Sequence, residues 1–314
     1  MTQSLDYGNV NRNRYMDAAF KRFVSNKYIL SAMLKGCVRE FRDSDIEEII
    51  GCLDVDEGTD RVRRNSNEYD SENGGRIIMD SVFEVRLPNG SERVGVIVNL
   101  EGQTLDHKDL GARAMYYGSS LIAQQKGRSF RNMDYGSLRK VYSIWCILRP
   151  QSDRKDTIAS YSMQGRYLGG FEGRSPLNDC DFLEIVMIGL GNAEKGPSPA
   201  SDDPIAKTKR MLEVFFDNRL SDREKTDEIE QLYNIPYNDG LNQSLEDIRQ
   251  MLSYDEWVQA EIEEQKKETR CETIAEMIRG YMAKMNVSLE QALEDHGLSE
   301  EEREIVIGII RGSE

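Results

Sequence analysis

The spacing of apolar positions changes period along the chain, and each change predicts a new element. Between residues 12 and 52 apolar residues recur at helical spacing: Phe20, Phe23 and Val24 form one stripe, and Ile29, Leu30, Met33, Leu34 and Val38 another. Ser44 is a candidate N-cap for a short helix ending near Leu53. Residues 54–75 are polar and predict a loop with room for one short strand. Residues 76–87 (RIIMDSVFEVRL) then predict a strand, Pro88-Asn89-Gly90 a turn, and residues 94–100 (VGVIVNL) a second strand. So short a turn makes the pair an antiparallel hairpin. Residues 109–127 predict a helix with Leu110, Ala114, Tyr117 and Leu121 on one face and Gly127 at its end. Residues 138–148 and 181–190 predict further strands, with an extended segment near 157–166. The order helix, hairpin, helix, strand predicts an α/β sandwich around a mixed sheet.

Residues 189–204 concentrate Gly, Pro, Ser and Asp and predict a domain boundary. The chain then divides into a core, 1–200, and a helical C-terminal region, 201–314. In that region Ile274, Met277, Ile278, Tyr281, Met282 and Met285 form an apolar stripe. Ser288 with Gln291, and Ser299 with Glu302, predict capping boxes around a break at Gly297.

Composition narrows the class. At 39% hydrophobic and 31% charged residues, the chain can bury a core and is not of the disordered type. No apolar run reaches bilayer length, and the first twenty residues lack the apolar segment of a signal peptide, which predicts a soluble cytoplasmic protein. Five scattered cysteines without CxxC spacing fit a reducing compartment and argue against structural zinc. The net charge of −15 disfavours a polyanionic partner until it is divided along the chain. Residues 202–314 hold 14 basic and 28 acidic residues, whereas 12–42 hold 8 and 2, and 108–156 hold 10 and 4. Local potential, not the global sum, steers a nucleic acid. Equally, charge runs are commonly plain solvated surface. The acidic tail with its methionine-rich stripe suits a homodimer or protein partner, and its acidity opposes a DNA-binding helix-turn-helix.

Three positions suggest chemistry. Asp80 interrupts an apolar strand segment. Glu101 and Gln103, two apart, share a sheet face with Asn99. A hairpin can bring Asp80 beside Glu101, and carboxylates at strand positions are costly unless paired or bound to a cation. Two carboxylates and an amide oxygen make the hard oxygen set that Mg²⁺ or Mn²⁺ prefers. Glu84, on the same face as Asp80, and Glu72 are reserve ligands. Of the two histidines, His107 reads as a solvated loop residue near the site.

Asp80, Glu101-Gly102-Gln103, Arg113-Ala114-Met115-Tyr116-Tyr117 and Lys140-Val141-Tyr142-Ser143-Ile144-Trp145 together resemble the PD-(D/E)XK nuclease family transposases, close to the recombination-promoting nucleases called Rpn. The likeness extends upstream to Ile29-Leu30, Leu34-Lys35 and Glu40-Phe41. Downstream it takes in Ile185-Val186-Met187-Ile188 and the tail from Ser288 to Glu302. It implies a restriction-endonuclease-like αβββαβ core. Asp80 would be the motif's Asp and Glu101 its Glu, with Gln103 in place of the Lys. Glu40 on the preceding helix would complete the metal site. Arg113, Tyr117 and Gln124 or Gln125 would support it from the following helix. Gly102 stands where the family usually has a larger residue.

The activity implied is metal-dependent hydrolysis of a DNA phosphodiester, linked to recombination or mobile DNA, with Mg²⁺ or Mn²⁺ held by Asp80, Glu101 and Glu40. Gln103 carries no charge, so it can orient water or lend an oxygen but cannot replace a lysine cation. The rival is a catalytically silent module of the same fold that binds DNA or a protein.

Overall fold

In the computed structural model the described residues are 18–65, 68–70, 76–88, 95–105, 109–126, 135–165, 167–168, 180–191 and 202–311. Residues 18–24 are helical (α1) and lead into α2 (Lys27–Cys37), a 3₁₀ turn at Arg39–Phe41, and α3 (Ile46–Gly51). Asn26 separates α1 from α2. Its side-chain oxygen accepts from the N–H groups of Tyr28 and Ile29 at 3.0 and 3.4 Å, filling the open donors at the start of α2. The cap of α3 is Asp45, one residue beyond the predicted Ser44, and it closes a capping box with Glu48.

The strand predicted over 76–87 is two strands. β2 (Arg76–Ile78) pairs with β1 (Glu68–Asp70), whereas β3 (Ser81–Arg86) pairs antiparallel with β4 (Gly95–Leu105). The break falls at Met79 and Asp80, where the Asp80 N–H goes to a carboxylate. The turn at 88–90 lies largely outside the described residues. After β4 come α4 (Leu110–Ala123), β5 (Val141–Arg149), β6 (Thr157–Ser162) and β7 (Leu183–Gly189). The main sheet runs β3-β4-β5-β7-β6, with β4, β5 and β7 parallel and the two outer strands antiparallel to their neighbours. This is the expected mixed α/β sheet. Among the described residues between α3 and α4, β3 and β4 join it and β1 and β2 form a separate two-stranded sheet. β5 lies between two parallel neighbours and is buried from Val141 through Ile147, which is why its sequence is nearly continuously apolar.

The register sorts side chains into two layers. Ile97, Val141, Trp145, Ile147 and Ile185 face α4 and pack on its Leu110, Ala114, Tyr117 and Leu121. α4 ends at Ala123 with Gln124 as its C-cap, short of the predicted Gly127, which is outside the described residues. Gly102 and Tyr142 occupy the opposite face, under α1 and the turn after α2.

The division at residue 200 is not the one the contacts make. The chain forms two compact units, Met1–Leu252 and Ser253–Glu314. α5 (Pro204–Phe216) and α6 (Asp222–Tyr233) belong to the first, together with the start of α7 (Asp239–Met285). α5 buries Met211, Leu212, Val214 and Phe215, and its Thr208 hydroxyl donates to the Ala32 carbonyl at 2.7 Å where Gly36 lets α2 and α5 approach. In the second unit, α8 (Leu289–Asp295) and α9 (Glu300–Arg311) pack on α7 through Cys271, Ala275, Ile278, Leu293, Val306 and Ile310. Met277 and Met285, placed in the apolar stripe, are more than half exposed. Ser299 and Glu302 form their capping box just after the positive-φ Gly297. Ser288 caps α8, but Gln291 turns to Asp295 instead of closing the box. Among the described residues no helix is long and apolar enough to cross a membrane.

Candidate active site

The β3–β4 pairing sets Ser81 opposite Leu100, so one step further back Asp80 falls opposite Glu101. Two hydrogen bonds lock that step. The Asp80 N–H donates to Glu101 Oε1 at 3.0 Å, and the Gly102 N–H donates to Asp80 Oδ2 at 2.9 Å. Each carboxylate thus accepts a backbone donor from the other's strand, and the two acids are neighbours at a strand break. Asp80 is 8% exposed and Glu101 1%. Two carboxylates so placed repel and are poorly solvated. Burial first, and then the charge of Asp80, holds the Glu101 carboxyl well above the usual glutamate range; the Asp80 N–H, Arg113 and Asn99 act in the opposite sense.

Two cations flank the pair from different layers. Arg113 on α4 brings its guanidinium to 3.9 Å from Glu101 Oε2, held over the rings of Tyr117 and Trp145 at 5.3 and 5.1 Å. Lys21 on α1 brings Nζ to 4.0 Å from Asp80 Oδ1. Lys21 was not singled out from the sequence. Its only signal was membership of the basic stretch 12–42. Asn99 is fully buried on the Glu101 face. It is near enough to favour the ionised glutamate, yet neither of its polar atoms completes a hydrogen bond of ordinary geometry.

Other expected members are elsewhere. Glu40 does not join the acids. It lies in the 3₁₀ turn on the opposite face of the sheet and accepts from the Tyr142 hydroxyl at 2.6 Å. Parity along β5 separates the two faces: Trp145 opposite Glu101 faces α4, and Tyr142 does not. Gln124 caps the far end of α4, eleven residues beyond Arg113, or about 16 Å along a helix. Gln125 brackets the Arg139 backbone with two hydrogen bonds of 2.8 Å, a structural role. Tyr117 is a packing residue of α4 that also seats Arg113. Gln103 continues β4 opposite Ile147, but its side chain lies outside those described, as do Glu72 and His107. Glu84 is exposed and bonds Arg139 at 2.6 Å, and Lys140 bonds Asp181 and Glu184 at 2.9 Å each, so these cations of the 108–156 stretch are matched by local acids.

Among the described residues no three His, Cys, Asp or Glu side chains converge as a metal cluster. The acids present number two, Asp80 and Glu101. That set fits a Mg²⁺-type ion, which commonly takes one or two carboxylates and keeps several waters. A cation there would offset the charge that makes Glu101 reluctant to ionise. Thiol chemistry is disfavoured at Cys37 and Cys146, both buried with their thiols pushed up by that burial. No family model, curated protein or solved structure matches the chain.

Proposed function

We propose that the chain is a divalent-cation-dependent phosphodiesterase acting on nucleic acid, with Asp80 and Glu101 as its cation-holding pair. The observation that supports this most is the reciprocal locking of the two acids at 3.0 and 2.9 Å. A protein that used them only for stability would have little reason to bury a second carboxylate beside the first. Mg²⁺ or Mn²⁺ bound to the pair would supply an acidified water and neutralise charge on a phosphate oxygen. Arg113 positions Glu101 and favours its ionised form. Lys21 adds positive charge beside Asp80, a charge that Gln103 cannot supply. DNA is the substrate in the resemblance to the Rpn-type nucleases, and a role in recombination belongs to that same likeness.

The test is cleavage of supercoiled plasmid with Mg²⁺ or Mn²⁺ by the full chain. Wild type and Glu84→Ala should nick the DNA, and Asp80→Ala and Glu101→Ala should not. Equal cleavage by all four would remove the assignment, and no cleavage by wild type would favour the silent binding module.

A further inference from the structure

Beside Asp80 lies an open cleft of about 510 Å³ in which cationic residues make up half of the lining. α1 contributes Lys21 and Arg22, the segment after α3 contributes Arg61, Arg63 and Arg64, and the only carboxylates in the lining are Asp56 and Asp80. Most of these charges are matched. Arg22 donates to Asp247 at 2.8 Å, Arg63 reaches Asp54 and Asp56 at 3.2 and 2.9 Å, and Lys21 faces Asp80. Arg61 and Arg64 are different: neither guanidinium has a carboxylate partner among the described residues. The surrounding protein and the charge of Arg61 hold the Arg64 guanidinium below its ordinary value, as expected for a cation whose near neighbour is another cation.

The segment carrying them is not a loose tether. The Val62 N–H donates to the Ser25 carbonyl at 2.7 Å, Arg63 N–H to Asp54 at 2.8 Å, and Asn65 N–H to Val82 at 2.8 Å. Its backbone is therefore fixed against the α1–α2 junction and against β3. A neighbouring cleft of about 600 Å³ has mixed charge: Asp60 there is paired with Lys27 and Asp247 with Arg22. Arg61 lines both clefts, whereas Arg64 lines the one that ends on Asp80 and not its neighbour. In a chain of net charge −15, such a cleft is where a polyanion can approach.

We infer that this cleft binds the phosphodiester backbone next to the bond presented to Asp80, with Arg61 and Arg64 as its phosphate contacts. The inference rests on the assignment of Asp80 and Glu101 to phosphodiester chemistry. Guanidinium groups suit the role because two parallel N–H donors match two phosphate oxygens. Lys21 and Asp80 line the same cleft 4.0 Å apart, so a strand held by Arg61 and Arg64 leads to the candidate active site.

The experiment is fluorescence anisotropy of the full chain with a short labelled DNA duplex and an RNA duplex of the same sequence, in EDTA so that the probes survive. Arg61→Gln and Arg64→Gln should each weaken binding of the preferred duplex about tenfold, the worth of one charge-assisted contact. Each should also lower the slope of log affinity against log salt by about 1. Arg64→Lys should retain the slope, and Arg223→Gln, an exposed pair with Asp227 on α6, should change nothing. Wild-type affinity and slope in the Arg61→Gln/Arg64→Gln double variant, or no binding of either duplex by wild type, would overturn the inference. The two claims separate cleanly. A wild type that binds through these arginines but never cleaves removes the catalysis and keeps the cleft. A double variant that binds and cleaves like wild type removes the cleft and keeps the catalysis.

Discussion

Replacing Glu101 by Gln probes the acid pair directly, because Gln keeps the oxygen that accepts from the Asp80 N–H and removes only the charge. Glu101 is 1% exposed and its ionised form is opposed by burial and by Asp80. Its folded pKa is raised above the unfolded value. Its contribution to stability is therefore fully present below the ordinary glutamate pKa and is lost as pH rises through the raised one. Gln does not titrate, so Glu101→Gln escapes that loss. In EDTA the two proteins should melt together near the low end of their stable range, and the variant should gain as pH rises. A buried group lacking full compensation costs on the order of 1–2 kcal/mol. For a unit of this size that becomes a gap of roughly 2–8 °C in Tm at neutral to mildly alkaline pH. The assay is differential scanning fluorimetry of both proteins across pH, without and with Mg²⁺. Added Mg²⁺ should raise the wild type and leave the variant unchanged. A variant less stable than wild type at every pH, or a gap that does not vary with pH, would refute the electrostatic account of the pair.

Other positions give sharper structural tests. A Cβ on Gly102 would meet the Phe20 ring at 2.7 Å, so Gly102→Ala must push α1 and with it Lys21. The cost should be about 1–3 kcal/mol in urea unfolding, and an unchanged midpoint would contradict the close packing of α1 on β4. Glu40→Ala should cost about 0.5–1.5 kcal/mol through the lost Tyr142 bond and leave plasmid cleavage intact. Loss of cleavage with unchanged stability would return Glu40 to the active site.

Most of the sheet was legible because β3, β4 and β7 are short runs rich in apolar and β-branched residues, because β5 is buried along nearly its whole length, and because α4 shows a clean apolar stripe. The juxtaposition of Asp80 and Glu101 was also legible, since a hairpin fixes register. What sequence could not supply was the side of the sheet on which a preceding helix lies. The family resemblance assigned Glu40 to the metal site, but packing of the region after α2 puts it against Tyr142 on the far face. The boundary at residue 200 misled for a related reason. Composition turns acidic there, yet α5 buries Met211, Leu212 and Phe215 within the first unit. Arg61, Arg63 and Arg64 sat in a segment dismissed as polar loop. Their signal was a run of arginines around one apolar residue, and only the hydrogen bonds of Val62 and Asn65 show that the segment is fixed.

The central claim is that the locked acids hold a divalent ion, and calorimetric titration of the full chain with Mn²⁺ tests it most directly. Wild type should take up Mn²⁺ with a measurable heat, and both Asp80→Asn and Glu101→Gln should lose it while Glu84→Gln keeps it. No heat from wild type, or the same isotherm from Asp80→Asn, would contradict the account.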